Sequence, residues 1–210
     1  MIERKHRTQT PRAYHHGSLR SALLASAQQV LAEKGVEGFS LRETARRAGV
    51  SAAAPKHHFA DTRALLTSLA SMAFRELANR LEAADRSARS RQNCIRAQGV
   101  AYVRFALDNP SLFDLMWRAT LLDLDNADLI FEKERSFAVL DRRVRGRQTE
   151  PVSHTDPAMA PTIACWSLVH GFARMALDGA FGVGLKMARE AAKTLLPDVL
   201  DLLVTRDLLS

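Results

Sequence analysis

The sequence lacks the segments that would place a protein in or across a membrane. Nowhere do about 18 apolar residues follow one another, as a membrane-spanning helix requires, and the basic first twenty residues contain no continuous apolar stretch. We therefore expect no signal peptide, no membrane span and a cytoplasmic location. Cysteine is also scarce, because Cys94 and Cys165 are the only two and do not form a C-x-x-C motif. This excludes a disulfide framework and a zinc site, and we expect both side chains to be buried.

The chain also lacks the short motifs of common enzyme classes. The spacings G-x-S-x-G, H-E-x-x-H, G-x-G-x-x-G and that of the P-loop are all missing. One stretch partly matches a calcium-binding loop, with Asp123 and Asp125 at the first and third places and Glu134 at the twelfth. Its sixth place is Asp128, where such a loop needs glycine. We predict no catalytic site, no metal site and no cofactor.

Positive charge is abundant but unevenly distributed. The formal net charge is +7, and residues 1–60 hold ten Lys and Arg against four Asp and Glu, whereas the rest of the chain is nearly balanced. A basic block on a near-neutral body favours binding of a polyanion such as DNA. The alternative is a solvated basic face that serves solubility.

Helical periodicity runs along most of the chain, and strand-like alternation persists nowhere. The apolar fraction of 47% is enough to fill a core. The predicted fold class is therefore all-α, with a basic arm at residues 1–13 and a loop at 146–155 that contains Pro151. About nine helices are expected, at residues 18–34, 41–48, 52–59, from about 61 to the polar stretch 85–92, and at 95–107, 110–118, 129–144, 157–180 and 185–206.

The second and third predicted helices have clear start and stop signals. Ser40 and Glu43 have the spacing of a capping box, in which the serine accepts from the amide of Glu43 and the Glu43 side chain reaches back. Gly35 and Gly49 follow helices at positions where glycine closes a helix cheaply, and Ser51 is placed to cap the next one. Three short helices, the last two joined by a tight turn, indicate a helix-turn-helix unit.

The residues of this unit resemble those of the tetracycline-repressor (TetR) family of bacterial transcription regulators. The resemblance covers residues 14–66 and is carried by Tyr14-His-His-Gly17, Phe39-Ser-Leu-Arg-Glu-Thr-Ala-Arg-Arg-Ala-Gly-Val-Ser51, Pro55-Lys-His-His-Phe-Ala-Asp61 and Ala64-Leu-Leu66. It implies a one-component regulator, a repressor that binds a palindromic operator as a homodimer until a small-molecule inducer releases it. It also implies a DNA-binding domain at 14–62 and a larger dimerisation and ligand-binding domain at 63–210.

Three positions in this unit are unusual. The family commonly has an aromatic residue where this chain has Lys56, and a phosphate-binding lysine where it has Thr62. Pro55 removes a backbone donor inside the predicted recognition helix and disfavours helical geometry at the residue before it. We therefore expect an irregular start to that helix.

The resemblance also implies which side chains meet DNA, since a helix fits the major groove, where each base pair has a distinct pattern. His58 and Phe59 are expected to pack against the first helix instead. The basic arm either follows a minor groove or is a tail that serves solubility. The expected base contacts come from Ala52, Ala53, Lys56 and His57, and the phosphate contacts from Ser40, Arg42, Ser51 and Thr62.

The C-terminal helices carry two apolar stripes and one further signature. Trp166-x-x-x-His170-Gly171 resembles a signature of one branch of the family, and the alternative for His170 is a hydrogen-bonded core histidine. A cavity there would take an apolar or aromatic inducer, since few charges fall among its residues. The expected lining is Phe105, Phe113, Met116, Trp117, Phe137, Trp166 and His170. The stripes predict a four-helix dimer interface, or packing within one subunit, through Ile163, Arg174, Leu177, Phe181, Leu195, Val199 and Leu202.

A second function class remains open at this point. A helical interaction or ligand-sequestering module could keep the same domain while losing specific DNA binding, and Lys56 and Thr62 are the residues that favour it. The two classes differ in sequence selectivity and in salt dependence of DNA binding.

Overall fold

The computed structural model describes residues 16–146, 153, 155–182 and 185–205. Within these ranges the chain forms eight α-helices and three short 3-10 helices, without a strand. The all-α prediction is therefore confirmed. The α-helices are α1 (His16–Lys34), α2 (Leu41–Arg47), α3 (Thr62–Ser87), α4 (Arg91–Asp108), α5 (Pro110–Met116), α6 (Ala127–Val144), α7 (Ala160–Leu177) and α8 (Leu185–Thr205), and the 3-10 helices are Ala54–His57, Ala119–Leu121 and Pro157–Met159.

Some sequence predictions lie outside these ranges. The basic arm at 1–13, Tyr14 and most of the loop at 146–155 are among them. Of the helices that are described, none is long and apolar enough to cross a membrane. Both cysteines are free and buried, as expected.

The predicted helix boundaries need correction at several places. The helix expected at 157–180 is divided, because the Asp156 carboxylate accepts from the Ala158 amide and starts a separate 3-10 turn before α7. The helix α4 begins earlier than expected, at Arg91, since the Ser90 hydroxyl accepts from the Asn93 amide at 3.1 Å. Its predecessor α3 correspondingly extends to Ser87.

The longest helix, α3, joins the two parts of the molecule. It packs on α1, α4, α5 and α6, and its buried side chains Leu65, Leu69, Phe74 and Leu77 recur at helical spacing. One continuous apolar core runs along it from Leu23 in α1 to the C-terminal helices. A shift of α3 would therefore change the packing at both ends of the core.

Ion pairs fix α3 against α6 along its exposed side. Arg135 of α6 donates two hydrogen bonds to the Glu82 carboxylate, at 2.9 and 2.8 Å. Arg75 pairs with the buried Glu132 at 2.6 Å. Paired guanidinium and carboxylate groups of this kind set the register of two helices as well as holding them together.

Candidate nucleic-acid interface and ligand cavity

The helix α2 is capped largely as its sequence indicates. The Ser40 hydroxyl accepts from the Glu43 amide at 3.4 Å, and Gly35 and Gly49 take positive φ angles of 67° and 71° after α1 and α2. The second half of the predicted capping box is wrong. The Glu43 carboxylate binds Arg46 and Arg47 instead of reaching back to its cap.

These ion pairs neutralise part of the basic surface. Arg47 also pairs with Glu33 of α1 at 2.6 Å, which ties α2 to α1. The hydrogen bond from Arg46, and then that from Arg47, lowers the pKa of Glu43 from 4.5 to about 2. Arg46 and Arg47 thus have structural partners, whereas no ion pair among the described residues involves Arg42 or Lys56.

The predicted recognition helix at 52–59 is the main error in the sequence analysis. The structure has a 3-10 helix of four residues, Ala54–His57, preceded by a turn that contains Ala52 and Ala53. Ser51 does not cap it, since Ala53 is the cap residue and no side chain bonds there. Pro55 is buried, and its carbonyl accepts from the Phe59 amide at 2.9 Å. The proline prevents a regular α-helical start, and the short helix closes around it.

Most of the predicted DNA-contacting residues are nevertheless exposed to solvent. Ser40 is half-buried, whereas Phe59 is buried in the core under the Arg20 guanidinium, 5.2 Å from its ring centre. The roles of the predicted DNA-contacting residues stay predictions. The members that are exposed are Arg42, Ser51, Ala52, Ala53, Lys56, His57 and Thr62.

A largely apolar cavity lies in the C-terminal part, between α3, α4, α6 and α7. Its volume is about 270 Å³, slightly below the roughly 300 Å³ at which typical small-molecule pockets begin. The two charged residues in its lining, Lys133 and Glu134, are exposed. The lining residues are Phe74, Leu77, Leu81, Ile95, Gln98, Gly99, Tyr102, Trp117, Lys133, Glu134, Ser136, Phe137, Leu140, Ile163, Cys165, Trp166 and Val169.

Three of the seven predicted ligand residues line this cavity, namely Trp117, Phe137 and Trp166. The indole rings of Trp117 and Trp166 lie 5.4 Å apart, and Phe137 meets Trp166 edge-on at 5.1 Å. The other predictions do not reach the cavity lining. Three of those side chains, Phe105, Phe113 and Met116, are buried in the core, and the fourth is His170.

His170 is hydrogen-bonded, as its alternative role required, but it is half-buried and not in the core. Its Nδ1 lies 2.8 Å from the Tyr102 hydroxyl, which also accepts from Trp166 Nε1 at 3.2 Å. Burial, with a smaller effect of Arg174, lowers the pKa of His170, and burial raises that of Tyr102. The three side chains thus form a linear hydrogen-bonded chain from Trp166 Nε1 through the Tyr102 hydroxyl to His170 Nδ1.

Sequence reasoning named the wrong residue of α4, because it chose Phe105, whereas Ile95, Gln98 and Tyr102 line the cavity. Ile95, Gln98 and Tyr102 are spaced by three and four residues, so they share one helix face. A buried glutamine on an otherwise apolar stripe was the signal that could have revealed this face, because such a polar group needs a partner.

Contacts near the cavity also reach the helix-turn-helix unit. Arg118, next to Trp117, pairs with Glu37 in the turn before α2 at 3.2 Å. At the start of α3, Arg63 donates to the Leu122 carbonyl at 2.9 Å, and the Thr67 hydroxyl accepts from the Asp123 amide at 2.9 Å. The segment after the cavity's Trp117 is thus bonded to both the turn before α2 and the first turns of α3.

The predicted dimer residues have varied surroundings in the single chain. Leu195 is exposed, whereas Ile163 is exposed but also lines the cavity. Arg174 pairs with Asp114 and Asp178 of its own chain. The side chain of Leu202 lies outside the described residues. The remaining three, which pack partly buried on the chain's own core, are Leu177, Phe181 and Val199.

A DNA-binding unit joined by one long helix to a helical domain is the architecture of a DNA-binding regulator. Family models agree. Residues 23–69 match the model of "bacterial regulatory proteins, tetR family", and residues 95–199, half of the chain, match that of the "tetracyclin repressor-like, C-terminal domain". The chain belongs to the TetR family. It is accordingly a DNA-binding transcription regulator rather than an enzyme.

Solved structures show the same fold. A Rhodococcus sp. RHA1 protein of unknown function is 33% identical, with a TM-score of 0.71 over 92% of this chain and 100% of that one. The TetR family regulator PfmR from Thermus thermophilus is 23% identical, with a TM-score of 0.61 over 89% and 95% of the two chains. FadR from Bacillus subtilis, solved in complex with stearoyl-CoA, is 15% identical, with a TM-score of 0.65 over 88% and 97%. No curated protein matches the chain significantly.

Proposed function

We propose that this regulator is a cytoplasmic repressor that binds a palindromic operator as a homodimer and is released by a small apolar or aromatic inducer. The observation that carries the proposal is the largely apolar cavity beside the helix that leads into the DNA-binding unit. Two tryptophans and a phenylalanine form part of its wall. The domain limits 14–62 and 63–210 and the Trp166-x-x-x-His170-Gly171 branch belong to the same proposal.

DNA recognition would rely on few side chains. Since Ala52 and Ala53 offer only methyl groups, Lys56 and His57 would supply the polar base contacts, and the alanines would meet thymine methyls. Arg42, Ser40, Ser51 and Thr62 would hold the backbone phosphates, which set the position of the protein without reading sequence.

Release by a ligand follows from the contacts around Trp117. A ligand beside Trp117 and Trp166 would press on the segment that carries Arg118, and hence on Glu37 before α2. It would also act on α3 directly, because Phe74 and Leu77 of that helix line the cavity. A ligand changes the DNA affinity only by as much as it prefers one position of these elements.

The class of inducer is inferred from the lining. FadR of Bacillus subtilis was solved with stearoyl-CoA, a long acyl chain on a highly charged carrier. The cavity here is small, about 270 Å³, and its buried walls carry no unpaired charge among the described residues. We therefore propose a compact, uncharged aromatic inducer.

The first experiment is selection of DNA from a random pool of duplexes by the purified protein at near-physiological salt. Enrichment of a palindrome with half-sites about one or more helical turns apart would support a dimeric operator-binding regulator. No enrichment by a folded protein would favour the interaction-module alternative. The enriched duplex then serves to screen aromatic compounds for release, which tests the inducer separately from the DNA.

A further inference from the structure

The exposure of the lining residues indicates where the cavity opens. Its lining residues from α3 and α4 are all buried. The exposed ones are Lys133 and Glu134 of α6 and Ile163 of α7, which is 38% exposed. The cavity is therefore closed by α3 and α4 on one side and opens to solvent between α6 and α7.

The two sides of this opening are formed by one face of each helix. Lys133, Phe137 and Leu140 are spaced by four and three residues on α6, and Ile163 and Trp166 are spaced by three on α7. The rings of Phe137 and Trp166 meet edge-on across the gap, with their centres 5.1 Å apart. Both rings are half-buried, so a ligand that enters between the helices meets them before it reaches the buried walls.

The backbone of Lys133 is held in the opening by its neighbours. The preceding residue, Glu132, is buried and pairs with Arg75 of α3 and with Arg135. The Ser136 hydroxyl donates to the Lys133 carbonyl at 2.7 Å. The ammonium group of Lys133, by contrast, takes part in no hydrogen bond or ion pair among the described residues, and its side chain is exposed. On a flexible four-carbon stem, this donor can turn to a group that lies in the opening.

An aromatic interior with a donor at its opening distinguishes the two ends of a bound molecule. We propose that the opening between α6 and α7 is a polar part of the ligand site, in which Lys133 donates a hydrogen bond to an uncharged acceptor on an aromatic molecule whose rings lie inside. This inference rests on the proposed inducer function and specifies its chemistry. The alternative is that Lys133 only covers apolar surface with its stem.

The charges at the opening favour a neutral acceptor over an anion. Glu134 directly follows Lys133 and is also an exposed residue of the lining, so the formal charges of these two neighbours cancel. A carboxylate on the ligand would be attracted by Lys133 but repelled by Glu134, and an exposed ion pair contributes little in water. A carbonyl oxygen accepts the same hydrogen bond without that repulsion.

The test uses aromatic probes measured by equilibrium dialysis. The cavity volume of about 270 Å³ corresponds to about nine water molecules at roughly 30 Å³ each, which suits a naphthalene ring system. 2-Acetylnaphthalene carries a carbonyl acceptor, and 2-isopropenylnaphthalene has nearly the same shape with a methylene group in place of the oxygen. The measured quantity is how the ratio of their affinities changes between wild type and a variant, because this comparison cancels the desolvation of the probes.

The Lys133→Met variant removes the ammonium group and keeps an unbranched stem. We expect it to lower the acetyl-to-isopropenyl affinity ratio about threefold, as for one hydrogen bond at an exposed site. The matched control is Lys186→Met, which changes an exposed lysine of α8 outside the cavity lining and should leave the ratio unchanged. An unchanged ratio in Lys133→Met would overturn this inference but not the proposed inducer function, since both probes would still bind.

A third probe tests whether the acceptor lies at the opening. It is a 2-acylnaphthalene whose carbonyl group carries a triethylene glycol chain, which is too long to fit inside the cavity. If the carbonyl group lies beside Lys133, the chain extends into solvent and the affinity should stay within about threefold of that of 2-acetylnaphthalene. A loss of more than about tenfold would place the carbonyl group inside the cavity and overturn this inference alone. Binding of no probe up to its solubility would overturn both this inference and the proposed inducer function.

Discussion

At the scale of single residues, the basic side chains of the DNA-binding unit fall into two groups. Arg46 and Arg47 are paired with Glu43 and Glu33. Lys56 is exposed on the 3-10 helix and, with Arg42, has no ion pair among the described residues. Lys56 and Arg42 can therefore bind DNA without first breaking an ion pair. We expect these two side chains to dominate the polar contacts with DNA.

Replacing Lys56 by alanine should weaken binding to the selected operator by at least about 1 kcal/mol, as expected for a good base contact. Affinity and sequence preference are measured by fluorescence anisotropy on operator and scrambled duplexes over a range of salt. Lys186→Ala is the control, because that lysine is also exposed but lies on α8. Unchanged affinity and preference would refute the role of Lys56, and a uniform loss with a reduced salt dependence would reassign it to a phosphate.

The depressed pKa of Glu43 gives a second residue-scale prediction. Its folded-state pKa of about 2 lies below the ordinary 4.5, so its contribution to stability is complete above about pH 4.5 and is lost as pH falls towards 2. Glu43→Gln should therefore destabilise the protein near neutral pH, and the difference from wild type should shrink on acidification. Urea unfolding at several pH values measures this, and a difference independent of pH would contradict it.

At the scale of elements, the sequence predicted helices best where a cap and an apolar stripe agree. Ser40 and Gly49 bound α2 as expected. The segment after Ser51 lacks such agreement, since three alanines give no packing direction and Pro55 blocks the helical hydrogen bonding. Tertiary packing decides its shape, because the buried proline anchors a 3-10 turn. Local pattern alone could not supply that outcome.

Ser40 allows the stability of α2 to be separated from DNA contact. Ser40→Ala removes the hydroxyl that caps the helix and should cost about 1 kcal/mol of stability, whereas Ser40→Asp keeps a capping acceptor. The aspartate would nevertheless repel a phosphate at the same place. We expect thermal unfolding to show a loss of stability for Ser40→Ala but not for Ser40→Asp. Operator affinity at low salt should fall for Ser40→Asp. Normal operator affinity of Ser40→Asp would remove Ser40 from the predicted phosphate contacts.

At the scale of the whole molecule, the cavity was only partly predictable. The sequence predicted Trp117, Phe137 and Trp166 correctly as lining residues, although they come from three separate segments and no single helical spacing relates them. It also suggested Phe105 and Phe113, which the structure buries elsewhere in the core. Periodicity identifies the apolar face of a helix but not which neighbour covers it, and here α4 turns Gln98 and Tyr102 towards the cavity.

Dimerisation is a further property of the whole molecule, and the exposed apolar residues of the chain suggest variants that test it. Met175 of α7 and Leu195 of α8 are 50% and 43% exposed, on two helices that pack side by side. The double variant Met175→Glu with Leu195→Glu should keep the subunit folded, because neither side chain is in its core, and should yield monomers in sedimentation velocity. Like charges facing each other across a two-fold interface oppose association.

The control for this variant is Phe131→Glu, which changes an apolar side chain that is 64% exposed on α6. If the interface is formed by α7 and α8, the control should remain dimeric and bind the palindrome as wild type does, whereas the double variant should bind with the strength of one half-site. Dissociation by Phe131→Glu alone would move the interface to α6. Equal dimerisation of all three proteins would assign the stripes of α7 and α8 to packing within one subunit, since a two-fold contact tolerates no buried row of unpaired carboxylates.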